Sequence, residues 1–151
     1  MKAFGLSIAV VALLSLAVLG AAFAAGGSTS RGAAVATART GLGRVVVNGS
    51  GRTLYLFEKD KRGRSACSGA CATYWPPLLT HGKPVASGGA KQSLLGTIRR
   101  GDGTRQVTYA GHPLYSFALD TKRGQTKGEG LTDFGAGWDA LTPSGKKIES
   151  D

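Results

Sequence analysis

The chain has 151 residues, 19 Lys+Arg against 9 Asp+Glu, a formal net charge of +10, and 24 Gly, 5 Pro and 2 Cys. That length allows one domain or two very small ones and excludes a large multidomain enzyme. The glycine share argues against a helix bundle or coiled coil, and the lack of a G-X-Y period excludes collagen.

Met1 and Lys2 open a leader with one positive charge, an apolar run from Ala3 to about Phe23, and the small-x-small triplet Ala22-Phe23-Ala24. The pattern predicts a signal peptide over residues 1–24, cleaved before Ala25 to leave 127 residues with a charge of +9. The run is also long enough to span a bilayer, so an uncleaved membrane anchor is the other reading. The Ala-x-Ala site and the lack of a basic stop-transfer cluster favour cleavage. No Cys stands near the site, which removes lipid attachment at a leader cysteine. Residues 25–40, AGGSTSRGAAVATART, are small and polar and read as a disordered linker.

The body carries an internal repeat. Gly51-Arg-Thr-Leu54-Tyr55-Leu-Phe57-Glu-Lys-Asp60 matches Gly111-His-Pro-Leu114-Tyr115-Ser-Phe117-Ala-Leu-Asp120 at an offset of 60. Trp75-Pro-Pro-Leu78 matches Trp138-Asp-Ala-Leu141, and Gly82-Lys83 matches Gly145-Lys146, at an offset of 63. Lys61-Arg62-Gly63 recurs as Lys122-Arg123-Gly124. A loop three residues longer in the second copy reconciles the offsets, and loops absorb such changes cheaply. Two copies are too few for an open solenoid, so the halves are expected to share a core.

Most segments read as strands. Residues 44–47 and 53–57 flank Gly49-Ser50-Gly51 as a hairpin, and 105–109 and 113–117 flank Ala110-Gly111 as a second. Gly101-Asp102-Gly103 and Pro143-Ser144-Gly145 read as turns, and Ser93-Leu94-Leu95 as a short helical turn. Period-2 alternation puts Tyr55 and Phe57 on one face and Leu54 and Leu56 on the other. The expected fold class is mostly β: a pseudo-symmetric single domain of two tandem β-rich repeats, repeat 1 over 41–88 and repeat 2 over 89–151.

The repeated acids Asp60 and Asp120 admit two readings. A carboxylate pair serves hydrolysis or metal binding, but an aspartate leaving a strand also accepts backbone N–H bonds from a following glycine loop. Each copy has its own Asp in the same local context, so one structural role explains both. Trp75 and Trp138, with Tyr74, Phe134, Tyr55 and Tyr115, could stack on sugars, bases or haem, but the matching repeat positions of Tyr55, Phe57, Tyr115, Phe117, Trp75 and Trp138 read as structural, the tryptophans as equivalent core anchors.

Cys67 and Cys71, in C-S-G-A-C, most simply make a disulfide in an exported protein. The second repeat has no counterpart, which leaves a redox or metal role open. His81 and His112 are the two histidines and read as exposed turn residues. With Cys67 and Cys71 they form an alternative ligand set for a transition metal. Otherwise no metal and no cofactor are expected, and no G-x-S-x-G elbow supports a serine hydrolase.

Lys61, Arg62, Arg64, Lys122 and Arg123 sit in the repeated glycine loops and are candidate anion-binding residues. Lys59, Arg99, Arg100, Lys127, Lys146 and Lys147 are further loop cations. Outside the cytoplasm the partners of such a surface are anionic envelope polymers, lipid head groups or extracellular nucleic acid, and the alternative is a solvated basic surface that confers solubility. No motif supports sequence-specific nucleic-acid recognition.

The repeated Y-x-F-x-x-D, C-S-G-A-C-A-x-x-W-P-P-L in the first copy, and L-G-T-I-R-R-x-D-G…Q-V-T-Y-A-G-x-P-L-Y in the second resemble a bacterial family. These are secreted-repeat proteins classed as lipoproteins with a Yx(F/W/Y)xxD motif. The likeness spans about residues 41–148. It implies an extracytoplasmic protein of two tandem repeats and supplies no catalytic residues to transfer. Many such proteins look lipid-anchored through a leader cysteine, which this chain lacks. The reading is an exported, non-enzymatic binding or structural protein of the cell envelope. The rival is a small redox or metal-binding protein using Cys67 and Cys71, and a weaker third is a hydrolase using Asp60 and Asp120.

Overall fold

A computed structural model describes residues 31–149, so the leader over 1–24 lies outside the described residues. Strands β1 (Ala34–Thr40) and β2 (Gly43–Asn48) form an antiparallel hairpin registered from Val35↔Asn48 to Thr40↔Gly43. Its tight turn is held by Leu42 N–H donating to Thr40 Oγ1 at 3.1 Å, with Gly43 at φ 93. This corrects the expectation of a disordered linker over 25–40 for the part from Ala34 onward. Small side chains do not prevent a chain from completing a sheet, and here Val35 is fully buried while Ala36 and Ala38 pack on the core.

After β2 the chain turns at 49–51 and runs back beside it, Leu54 N–H bonding Val46 O at 3.0 Å. The expected hairpin is therefore short. The next strand, β3 (Tyr55–Phe57), leaves β2 and pairs with a strand from the far end of the chain. A one-turn helix α1 (Ala70–Tyr74) and the short strand β4 (Val85–Ala86) follow, β4 adding parallel to β1.

The second half begins with a 3-10 turn over Gln92–Leu94, then β5 (Leu95–Arg99) and β6 (Arg105–Tyr109), an antiparallel pair turned at 100–104. Strand β7 (His112–Pro113) returns along β6. Strands β8 (Leu131–Asp133) and β9 (Ala136–Ala140) form the last hairpin. Among the described residues three small sheets result, ordered β2-β1-β4, β3-β9-β8 and β5-β6-β7. The chain is mostly β and its two repeats make one domain.

Alternation along the central strands divides the interior. Val45, Val47, Tyr55 and Phe57 face an aromatic core, and Val46, Leu54 and Leu56 face an aliphatic one with Val107, Leu114 and Leu141. A strand buried on both faces must be apolar throughout, which is why Val45-Val46-Val47 and Leu54-Tyr55-Leu56-Phe57 show no polar alternation.

Candidate functional site

The repeats interlock through their motifs. Tyr55 and Tyr115 exchange both backbone hydrogen bonds, at 2.8 and 3.0 Å, where the two halves meet. The segment after each tryptophan then pairs with the opposite repeat. Val46 N–H donates to Leu141 O at 2.9 Å, and its counterpart Val107 N–H donates to Leu78 O at 2.8 Å.

Side chains follow the same exchange. Tyr55 donates to Asp120 Oδ2 at 2.5 Å, and Tyr115 donates to Asp60 Oδ2 at 2.7 Å. The other oxygen of each aspartate accepts a backbone N–H from its own loop, Lys127 for Asp120 and Ala66 for Asp60. Each aspartate thus ties its own loop to the tyrosine of the other repeat. The sequence reading anticipated the backbone bond and missed the tyrosine, because nothing in the spacing orients one copy against the other.

Burial raises both tyrosine hydroxyls above their ordinary value, and the adjoining carboxylates raise them further. Burial also raises Asp60, against the opposing effect of the bonds from Ala66 and Tyr115. The two sites are unequal. Asp120 is fully buried, whereas Asp60 is partly exposed and its tyrosine also lies 2.7 Å from Ser65 Oγ. Arg100 donates to Ser65 Oγ, Gln106 Oε1 and Cys67 O, so this cation clamps the first loop rather than facing solvent freely.

Between the halves four rings form one stack, Phe57 on Trp138 (4.1 Å), Trp138 on Trp75 (3.9 Å) and Trp75 on Phe117 (4.3 Å). Tyr55 and Tyr115 set their edges against Trp75 and Trp138, at 83° and 87°. Both tryptophans are fully buried, and the stack offers no open ring face to a ligand. Gly128 backs it, for a Cβ there would fall 2.7 Å from Trp75 and 2.9 Å from Tyr55.

Cys67 and Cys71 form a disulfide with S–S 2.02 Å, closing the loop that enters α1. The alternative ligand set is not assembled. Both thiols are consumed in the disulfide, and His81 and His112 line separate hollows. Among the described residues no three His, Cys, Asp or Glu side chains gather as a metal site.

A cleft of about 450 Å³ is lined by Leu56, Phe57, Glu58, Asp60, His112 and Lys147. Partial burial and neighbouring Arg62 hold the His112 ring below its ordinary pKa. Lys147 Nζ pairs with Glu58 Oε1 at 2.7 Å, which holds Glu58 down. Beside them burial pushes Asp139 up to about 6, with Lys147 opposing and the nearby Glu58 and Glu129 reinforcing the shift.

The repeated basic loops lie over the opposite repeat's glycine turn. The stem of Arg123 covers Gly51, and the stem of Arg62 covers Gly111. Lys61, Arg62, Arg64, Lys122 and Arg123 are all exposed. Among the described residues the ion pair formed is Lys147–Glu58, so no acid neutralises these five cations there.

No described helix is long and apolar enough to cross a membrane. A family model described as a secreted repeat of unknown function matches residues 36–79 and 96–142, its segments beginning inside β1 and β5. No curated protein and no solved structure matches the chain. The matched segments contain both copies of the interlocking Tyr and Trp motifs, and the chain accordingly belongs to the secreted-repeat family of unknown function.

Proposed function

We propose that this secreted protein is a non-enzymatic binding module of the cell envelope, and that its repeated basic loops contact anionic envelope polymers. The observation that carries the reading is the pair of K-R-G loops. They repeat in sequence, present five exposed cations, and have no acidic partner among the described residues. Unpaired cations on a protein of net charge +10 attract polyanions over about a Debye length, roughly 8–10 Å at physiological salt. The conspicuous acids support binding over hydrolysis, since Asp60 and Asp120 are each held by a tyrosine and a backbone N–H.

The test is retention on immobilised polyphosphate across a salt gradient. The Gln replacements of Lys61, Arg62, Arg64, Lys122 and Arg123 should elute at clearly lower salt than a control with Arg39, Lys83, Lys91, Arg99 and Lys146 replaced. Equal elution of the two equally charged variants would show that net charge alone governs retention and end the proposal.

A further inference from the structure

The β8–β9 turn holds a residue of the wrong kind for its backbone. Asp133 and Ala136 pair across it, and the two residues between, Phe134 and Gly135, have φ of 55 and 89. Two successive positive φ values are the pattern of a type I′ turn, whose first position favours Asn, Asp or Gly. A bulky residue is disfavoured there because its Cβ crowds the backbone. The corresponding strain at β6–β7 falls on Ala110, a small residue.

Core packing does not explain the phenylalanine, because its ring is 41 % exposed. It meets Tyr74, the last residue of α1, at 6.2 Å between centroids, and Tyr74 is 55 % exposed. Tyr74 O accepts from Ala118 N–H, and the next residue, Leu119, is 57 % exposed. Lys59 brings its ammonium beside Gly135. Two exposed aromatic rings and a cation therefore lie close together, with the exposed Leu119 next in the chain to the residue that bonds the Tyr74 backbone.

The geometry points to a lipid-surface site here, in which Phe134, Tyr74 and Leu119 enter the headgroup–acyl boundary of an anionic bilayer with Lys59 at the phosphate level. Aromatic and aliphatic side chains favour that boundary, and basic residues add attraction to anionic lipid. A sugar fits less well, because the two rings are tilted by 39° and offer no common platform. A soluble polyanion has no apolar part to match Leu119. This site goes beyond the basic-loop reading and does not depend on those loops.

Phe134→Asn separates ring from backbone, since Asn suits the turn better than Phe. The experiment is co-sedimentation of the exported protein with vesicles of phosphatidylglycerol and phosphatidylcholine, and with phosphatidylcholine alone, at physiological salt. The protein should sediment with the anionic vesicles. Phe134→Asn should weaken this about tenfold with an unchanged or higher Tm, and Leu119→Ser should weaken it too. Vesicle binding of Phe134→Asn equal to that of the parent overturns the site. So does an unmodified protein that ignores vesicles or is displaced from them by a neutral polysaccharide, which would assign the rings to sugar. Failure of the basic-loop reading appears separately, at the polyphosphate column, where Phe134→Asn should elute with the parent.

Discussion

Replacing Tyr55 by Phe deletes one oxygen whose two hydrogen bonds both lie in the core. It donates to Asp120 Oδ2 at 2.5 Å and accepts from Gly128 N–H at 3.2 Å. A hydrogen bond to a charged group contributes about 1.5–3 kcal/mol, and a buried polar atom left without a partner costs about 1–3 kcal/mol. Asp120 is fully buried and keeps one other bond, from Lys127 N–H, so the expected loss is about 3–4 kcal/mol. Tyr115→Phe deletes the equivalent oxygen beside Asp60, which is partly exposed and keeps Ala66 N–H, so water takes the vacated position. Its expected loss is about 1–2 kcal/mol. Urea unfolding of both variants measures the difference directly, and thermal unfolding should place Tyr55→Phe about 10 °C or more below the parent. Combining each with Asp120→Asn adds a cycle in which Tyr55 couples to Asp120 and Tyr115 does not. Equal losses, or a Tyr55→Phe loss under about 1 kcal/mol, would refute the reasoning that burial of the aspartate sets the cost.

Four further outcomes are expected. Gly128→Ala should destabilise by about 1–3 kcal/mol through overlap with Trp75 and Tyr55. Gly41→Ala, with open space around the added methyl, should be close to neutral in the same unfolding assay. Reducing Cys67–Cys71 should leave the fold intact and cost about 2 kcal/mol, the loop-closure value for so short a separation, read by calorimetry with and without reductant. Unfolding on reduction would contradict this. Asp139 has a folded pKa raised from the ordinary value 3.8 to about 6, so in that interval the folded state binds more protons than the unfolded one. Its contribution to stability is present below about pH 4 and is lost as pH rises through about 6. Subtracting the pH–stability curve of Asp139→Asn from that of the parent should isolate this fall, against the opposite trend from Glu58, whose folded pKa is lowered.

Ala34–Thr40 does not announce itself as a strand because sequence reasoning looks for large hydrophobes, and β1 has one valine among small and polar residues. Its place in the sheet comes from pairing with β2 through main-chain groups that every residue carries. The short hairpins have a related cause: Tyr55 and Tyr115 are better satisfied by each other than by the strands that precede them. Arg100 and Lys147 counted as loop cations by composition, but one is bound to Ser65, Gln106 and Cys67, and the other to Glu58. Phe134 and Tyr74 stand among the aromatics that could stack on a ligand, but the chain does not mark them as exposed, since aromatic residues ordinarily read as core.

From the sequence by itself came the duplication, the β class, the disulfide and the basic glycine loops. Each rests on local chemistry: a repeated pattern, short apolar runs bounded by turn residues, two cysteines four residues apart, and glycines where turns need them. Tertiary structure alone decided that the repeats exchange partners. Tyr55 serves Asp120 rather than Asp60, and Phe57 stacks on Trp138 rather than Trp75. The physical reason is that a strand exiting at Tyr55 can bury both faces only by pairing with the other half. Contacts made at such long separation leave no periodicity in the residues that make them.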